Sequence, residues 1–145
     1  MSKYTIRRAK LPDSVSLSDC INAAYSVYEP RITDLLSVSD GIVQSIESDR
    51  VWVAETEQGV VGGIILSLRD EFIMLENIAV HPDNSAMGIG AALIKRAELD
   101  CLELGFFEMR LSTHIDMPEN VRLYEHLGWQ ETGRMANKIH MSKYF

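Results

Sequence analysis

The sequence predicts a single α/β domain over residues 1–145, a mixed and mostly antiparallel sheet of about seven strands with helices on both faces. Three observations carry that expectation. The chain has 145 residues, 46% of them hydrophobic and 24% charged, the size and balance of one soluble core. Stretches with the two-residue period of strands alternate with stretches of helical period. No repeat, low-complexity tract or Pro/Gly/Ser-rich linker divides them, so short turns must join the elements.

Residues 4–8 alternate as a strand does. Pro12-Asp13 then opens a helix whose stripe of Leu17, Ile21, Ala24, Tyr25 and Tyr28 defines one buried face. Glu29-Pro30 breaks that helix, and a less regular helical segment follows with Ile32, Leu35, Leu36, Val43 and Ile46, interrupted at Asp40-Gly41. Residues 51–55 and 60–68 are rich in β-branched side chains and flank a turn containing Gly59, which predicts an antiparallel hairpin; a further strand occupies 72–80. After His81-Pro82 the period becomes helical, with Ile89, Leu93, Ala97, Cys101 and Leu104 facing inward, Lys95, Glu98 and Glu103 facing water, and Gly105 ending the helix. Residues 108–113 form the next strand. A short helix over 116–127 has Pro118 near its first turn and Gly128 past its end, and strands 130–135 and 138–145 close the chain.

Composition narrows the function. A formal net charge of −7, from 21 acidic and 14 basic residues, opposes binding to nucleic acid, which depends on cationic side chains releasing counterions. The charged N-terminal stretch lacks the apolar block of a secretory signal, and no apolar run approaches the ~20 residues that span a bilayer, so a cytoplasmic protein without membrane contact is expected. Cys20 and Cys101 fall inside helices at no paired or metal-type spacing and read as small buried apolar side chains. His81, His126 and His140 share no metal-ligand spacing either, and no metal is expected.

Two motifs carry chemistry. In the first, Leu75-Glu76-Asn77-Ile78-Ala79-Val80-His81-Pro82 runs into Ser85-Ala86-Met87-Gly88-Ile89-Gly90-Ala91, a strand leading through small residues to a helix N-terminus. Unpaired N–H groups and the helix dipole suit a pyrophosphate there, and glycines permit close approach, although tight packing of helix on strand also favours glycine. There is no Gly-x-Gly-x-x-Gly, since Leu93 occupies the last position, and no P-loop Gly-Lys-Ser/Thr. In the second, Asn120-Val121-Arg122-Leu123-Tyr124-Glu125-His126-Leu127-Gly128-Trp129 places Asn120 and Tyr124 four apart, on one helical face. Taken alone, the second motif reads better as a half-buried core aromatic at Tyr124 and an ordinary polar residue of the first helical turn at Asn120.

In this order the two motifs resemble the acetyl-coenzyme A signatures of the GCN5-related N-acetyltransferase (GNAT) superfamily across about half of the chain. Gly88 and Gly90 match the glycines of [Gln/Arg]-x-x-Gly-x-[Gly/Ala]; Ser85 stands in place of Gln or Arg, Ala86 of Gly, and Met87 of a frequent basic residue. The resemblance implies a GNAT fold whose sheet is splayed in the middle, with the cofactor acetyl-coenzyme A held by Ile78, Ala79, Val80, Ala86, Met87, Gly88, Ile89, Gly90, Ala91, Asn120 and Tyr124. It implies Tyr124 as general acid toward the departing thiolate. Tyr25, Tyr28 and Arg31 look like the Tyr-x-x-Tyr-x-x-Arg segment of a bacterial branch that lines the acceptor side, and His114 at the next strand's end joins them.

The expected reaction is transfer of an acetyl group to a primary amine of a small molecule or peptide, with a homodimer possible by the same resemblance. A primary amine is mostly protonated at neutral pH, so a base is needed. Glu76 is the first choice: strict alternation puts it on one strand face with Ile78 and Val80, where apolar surroundings would raise a carboxyl pKa. A structural carboxylate is the competing reading. The alternative function, suggested by Ser85 and Met87, is a non-catalytic acyl-coenzyme A-binding sensor or regulatory module.

Overall fold

Seven strands form one sheet in the order β1-β2-β3-β4-β5-β7-β6. In the computed structural model, residues 3–26 and 41–145 are described; the expectations for Tyr28 to Asp40, including Arg31, lie outside them. The strands are β1 (Thr5–Arg8), β2 (Arg50–Thr56), β3 (Gly59–Leu68), β4 (Ile73–Val80), β5 (Glu108–His114), β6 (Gln130–Met135) and β7 (Lys138–Tyr144). The helices are α1 (Ser14–Ser26), α2 (Ile42–Ser48), α3 (Ile89–Glu103) and α4 (Pro118–His126). Every expected strand forms, within a residue or two at its ends. None of the described helices is long and apolar enough to cross a membrane.

All neighbours pair antiparallel except β4 and β5, which are parallel and therefore need a crossover, supplied by α3. Two cores follow from the pleat. On one face Leu17 and Ile21 of α1 and Ile42 of α2 meet Val51, Val53, Ile65 and Ala79. On the other, Leu93, Ile94, Ala97 and Cys101 of α3 meet Ile64, Leu66, Ile73, Leu75, Met109, Leu111, Ile139 and Met141, with Tyr124 and Trp129 closing the end. Gly62 of β3 makes the α3 contact close, since a Cβ there would lie 3.1 Å from both Ile89 Cγ2 and the Ala79 carbonyl oxygen.

A charged anchor fixes α3 against β2. Asp100 lies on the inner side of α3 and is fully buried. Its carboxylate accepts from Arg50 Nε at 2.7 Å, Arg96 Nη2 at 3.0 Å and the Trp52 indole N–H. The Arg96 guanidinium also lies 4.7 Å from the centre of the Trp52 ring, a cation–π contact.

Two expectations for α3 are corrected. Glu98 does not face water: Lys143 of β7 donates to both its oxygens at 3.1 Å, so the helix is tied to the far side of the sheet as well. Leu104, placed on the inner face, is 41% exposed, because the helix has already ended at Glu103. Gly105 and Gly128 take the left-handed conformation after α3 and α4 as expected.

Removing the Asp100 carboxylate takes the acceptor from the Arg50 guanidinium and the Trp52 indole N–H, while Arg96 keeps Glu103 at 3.2 Å, and breaking a buried pair from one side costs about 3–5 kcal/mol. Asp100→Ala is therefore expected to lower unfolding free energy by about that amount in a urea titration followed by tryptophan fluorescence; a loss under 1 kcal/mol would contradict the anchoring role. Burial also pushes the thiols of Cys20 and Cys101 up to about 11, away from thiolate at neutral pH. Neither should be alkylated by iodoacetamide in the native protein at pH 7.5, and both should react in urea, as mass spectrometry would read.

Candidate functional site

β4 and β5 pair over only three positions, Ile73 with Met109, Met74 with Arg110 and Leu75 with Leu111. Beyond Leu75 and Leu111 the strands part, and a cleft of about 600 Å³ opens between them. The cause is visible in the β3–β4 register. Ile65 opposes Asn77 and Leu66 opposes Leu75, so Glu76 is an extra residue, a β-bulge that re-aims the second half of β4.

The bulge also reverses the alternation. Ile73 and Leu75 face α3, yet so do Ile78 and Val80, while Asn77 and Ala79 turn toward α1. Glu76 therefore does not continue the face of Ile78 and Val80, as strict alternation predicted. Its surroundings are not apolar either: the side chain is 36% exposed and pairs with Arg69 Nη2 at 3.5 Å.

The expected direct passage from β4 to the helix is instead a 3-10 segment over Pro82–Met87, after which Gly88 caps α3. Gly88 has φ +73°, a conformation in which a side chain is strained. Ala92 N–H donates to Gly88 O at 3.2 Å, which leaves the N–H groups of Ile89, Gly90 and Ala91 as the first-turn donors without a carbonyl one turn back. Gly90 lines the cleft beside Val80, together with Ser85. Ile89 is buried in the core and Met87 packs against it, so from these two only main-chain groups are available. Ala86, Met87, Gly88 and Ala91 are not among the residues lining the cleft.

α4 forms the opposite wall. Asn120 and Tyr124 both line the cleft. Tyr124 is buried, its ring tilted against Trp129 with centroids 5.9 Å apart. The helix begins at Pro118, two residues later than expected, and Asn120 is fixed in its first turn by Nδ2 donating to Met117 Sδ at 3.4 Å.

On the α1 side the Tyr25 hydroxyl donates to Asn77 Oδ1 at 3.3 Å. His114 at the end of β5 is buried; the Asp116 backbone N–H donates to its Nδ1 at 3.0 Å, and Asn137 Nδ2 lies 3.4 Å from its Nε2. Glu76, Ile78, Ala79, Val80, Gly90, Asn120, Tyr124, Tyr25 and His114 thus share one cleft that passes through the sheet. Sequence reasoning missed Asn77, Ser112 and Lys138, which also line it. Asn77 had a signal: the polar pair Glu76-Asn77 interrupts the two-residue rhythm of Ile73, Leu75, Ile78 and Val80 by one place, as a bulge must.

The architecture is shared with solved proteins at low identity. PaiA N-acetyltransferase from Thermoplasma acidophilum, in complex with coenzyme A, superposes with a TM-score of 0.89 at 16% identity over 99% of each chain. A GNAT family acetyltransferase from Elizabethkingia anophelis with acetyl-CoA bound gives 0.76 at 18% identity over the whole of both chains. The ribosomal-protein-S18-alanine N-acetyltransferase of Escherichia coli gives 0.74 at 17%, covering 96% of this chain and 92% of that one. No protein of curated function matches the sequence. The family model of the acetyltransferase (GNAT) domain matches residues 47–131, from the end of α2 through α3 and α4 into β6, and with more than half of its length matched the chain belongs to the GNAT acetyltransferase family.

Proposed function

We propose that the protein is an acetyl-coenzyme A-dependent N-acetyltransferase acting on a primary amine. The observation that carries this reading is the parting of β4 from β5 beside the N-terminus of α3, whose Gly88 cap has no side chain to satisfy the first-turn N–H groups, so one cleft has both an end suited to an anion and a strand edge with open hydrogen-bonding groups. The fit to the cofactor rests on those features. The first-turn N–H groups at Ile89, Gly90 and Ala91 suit phosphate oxygens, and the main chain at Ile78 to Val80 suits an extended amide-bearing arm. Gly90 leaves room, since a Cβ there would meet nothing closer than Val80 Cγ2 at 3.8 Å. Proteins of this fold with coenzyme A or acetyl-CoA bound support the same assignment.

When bound, acetyl-coenzyme A supplies an acetyl group activated as a thioester, which passes to the amine nitrogen as the thiol departs. The chain's residues divide the remaining work. Tyr124 Oη holds the proton that a departing thiolate takes, and Asn120 one turn earlier orients the arm against α4. The Glu76 carboxylate, at the bulge and open to solvent, receives the proton that the acceptor must lose, through water. Main-chain N–H groups of β4 beyond the bulge are placed to steady negative charge at the reacting carbonyl. Tyr25, held by Asn77, borders the acceptor's side of the cleft.

Isothermal titration of acetyl-coenzyme A into the wild type and Gly90→Glu tests the cofactor site. Gly90 is preferred to Gly88 because a side chain at Gly90 meets only an ordinary contact, whereas Gly88 needs its positive φ. The wild type should bind at micromolar concentration and the variant, still folded by circular dichroism, should not; no binding by the wild type, or equal binding by both, would sink the assignment. Tyr124→Phe should retain cofactor affinity and lose about 10²-fold or more in kcat, the scale of one proton-transfer group. A change under threefold would remove Tyr124 as the acid. Cofactor binding by the wild type with no transfer to any of a broad set of amines would favour the sensor alternative.

A further inference from the structure

We infer that the acceptor carries an anionic group, a carboxylate next to or near its amine, and that Lys138 holds it. This rests on the acetyltransferase reading above and names the substrate class for that same cleft.

The two mouths of the cleft lie on opposite faces of the sheet, and the registers say which residues belong to which. Met109 and Leu111 of β5, and Ile139 and Met141 of β7, pack into the α3 core. The intervening positions therefore lie on the other face: His114 of β5 opposite Lys138 of β7, and Ser112 opposite His140. That is the face toward which Asn77 turns to meet Tyr25. Gly90, Asn120 and Tyr124 belong to the α3 and α4 side. Lys138 thus stands across the sheet from the proposed phosphate site, at the mouth through which the acceptor would enter.

Among the described residues the charge balance of this mouth is cationic, although the whole chain is at −7. Glu76 and Lys138 are, among the described residues, the Asp, Glu, Lys or Arg side chains lining the cleft. Glu76 already has a counterion, Arg69 at 3.5 Å. The Lys138 side chain is exposed and makes no ion pair or hydrogen bond among the described residues. Asp116, on the loop after β5, is 61% exposed and lies 3.9 Å from His114 Nδ1. An ammonium at the rim of a partly apolar cleft attracts an anion more strongly than one in open water, and a hydrogen bond between two charged groups contributes more than a neutral one. An acceptor with further positive charge would instead meet repulsion from Lys138, with Glu76 already paired to Arg69. An acceptor whose amine enters the gap between β4 and β5 while its carboxylate stays at the rim satisfies both ends.

The test uses pairs of acceptors that differ in one charge: the common amino acids and a set of dipeptides, each against its C-terminal amide, with acetyl-coenzyme A and the full chain. The wild type should prefer the free carboxylate by about tenfold or more in kcat/KM, expressed in KM, the scale of a charge-assisted hydrogen bond. Lys138→Gln should erase the difference within each pair, Lys138→Arg should keep most of it, and Lys138→Glu should reverse it. Equal use of acid and amide by the wild type, or a preference that survives Lys138→Gln, would overturn the role of Lys138 and leave the acetyltransferase intact. Transfer to no amine in either series, with no acetyl-coenzyme A binding by titration, would overturn the function itself and this inference with it.

Discussion

Everything in the site depends on one constraint: β4 must pair with β5 for three residues and then stop. A parallel pair is built by a crossover, so the strand before α3 and the strand after it are brought side by side with α3 lying across them. The single extra residue at Glu76 turns the rest of β4 away from β5 while its other edge stays paired to β3 as far as Val80. One edge of a central strand is thereby opened inside the sheet without exposing an edge strand at the rim. The open groups are rigid because the other edge is fully laddered. A loop could offer the same N–H and C=O groups, but at a greater entropy loss on binding.

The aim of α3 is the second condition, and it is set at a distance. Asp100 lies 12 residues after Gly88, roughly 18 Å along the helix at 1.5 Å per residue. A buried ion pair is a poor source of net stability, since desolvation consumes much of the attraction. Its geometry is demanding all the same: Arg50 and Trp52 of β2 must both reach the Asp100 carboxylate of α3, with Arg96 of the same helix over the Trp52 ring, which restricts rotation of the helix about its axis. Lys143 holding Glu98 adds a restraint from the opposite flank. Gly62 then lets the first turn settle against β3, so the rotation fixed at the C-terminal half determines where the first-turn N–H groups point.

How far the sequence discloses this varies with the interaction. The strands are legible because each depends on its own alternation of apolar residues, and α3 and α4 because Gly105, Pro118 and Gly128 mark their limits locally. The bulge leaves a local trace too, in the doubled polar step at Glu76-Asn77, but a reading by strict alternation passes over it. Asp100 is harder. Its spacing from Leu93 and Ala97 puts it on the apolar face, yet only the approach of β2 reveals why an acid is tolerated there. Lys138 gives no signal in sequence, because its position at the cleft follows from the pairing of β7 with β5 and nothing near it in the chain.

A cleft that runs through a sheet separates its two occupants by construction. The helix N-terminus and the Asn120–Tyr124 wall face one side, while Tyr25, Asn77, His114 and Lys138 face the other; on the proposed reading, donor and acceptor meet only where the strands have parted. The apex of that gap is closed by Leu75 and Leu111, the last paired residues, both buried and both lining the cleft. On the proposed reading their side chains form an apolar floor beneath the thioester carbonyl, so water reaches the reacting atoms only from the mouths. Bound donor and acceptor then block those two routes themselves. Exclusion of water, and with it protection against wasteful hydrolysis, would then follow from the depth at which the last β4–β5 pair falls. Moving that pair one step along the strands would shift a polar residue, Glu76 or Ser112, into the floor, which makes the position of the bulge as consequential as the identity of any side chain that does chemistry.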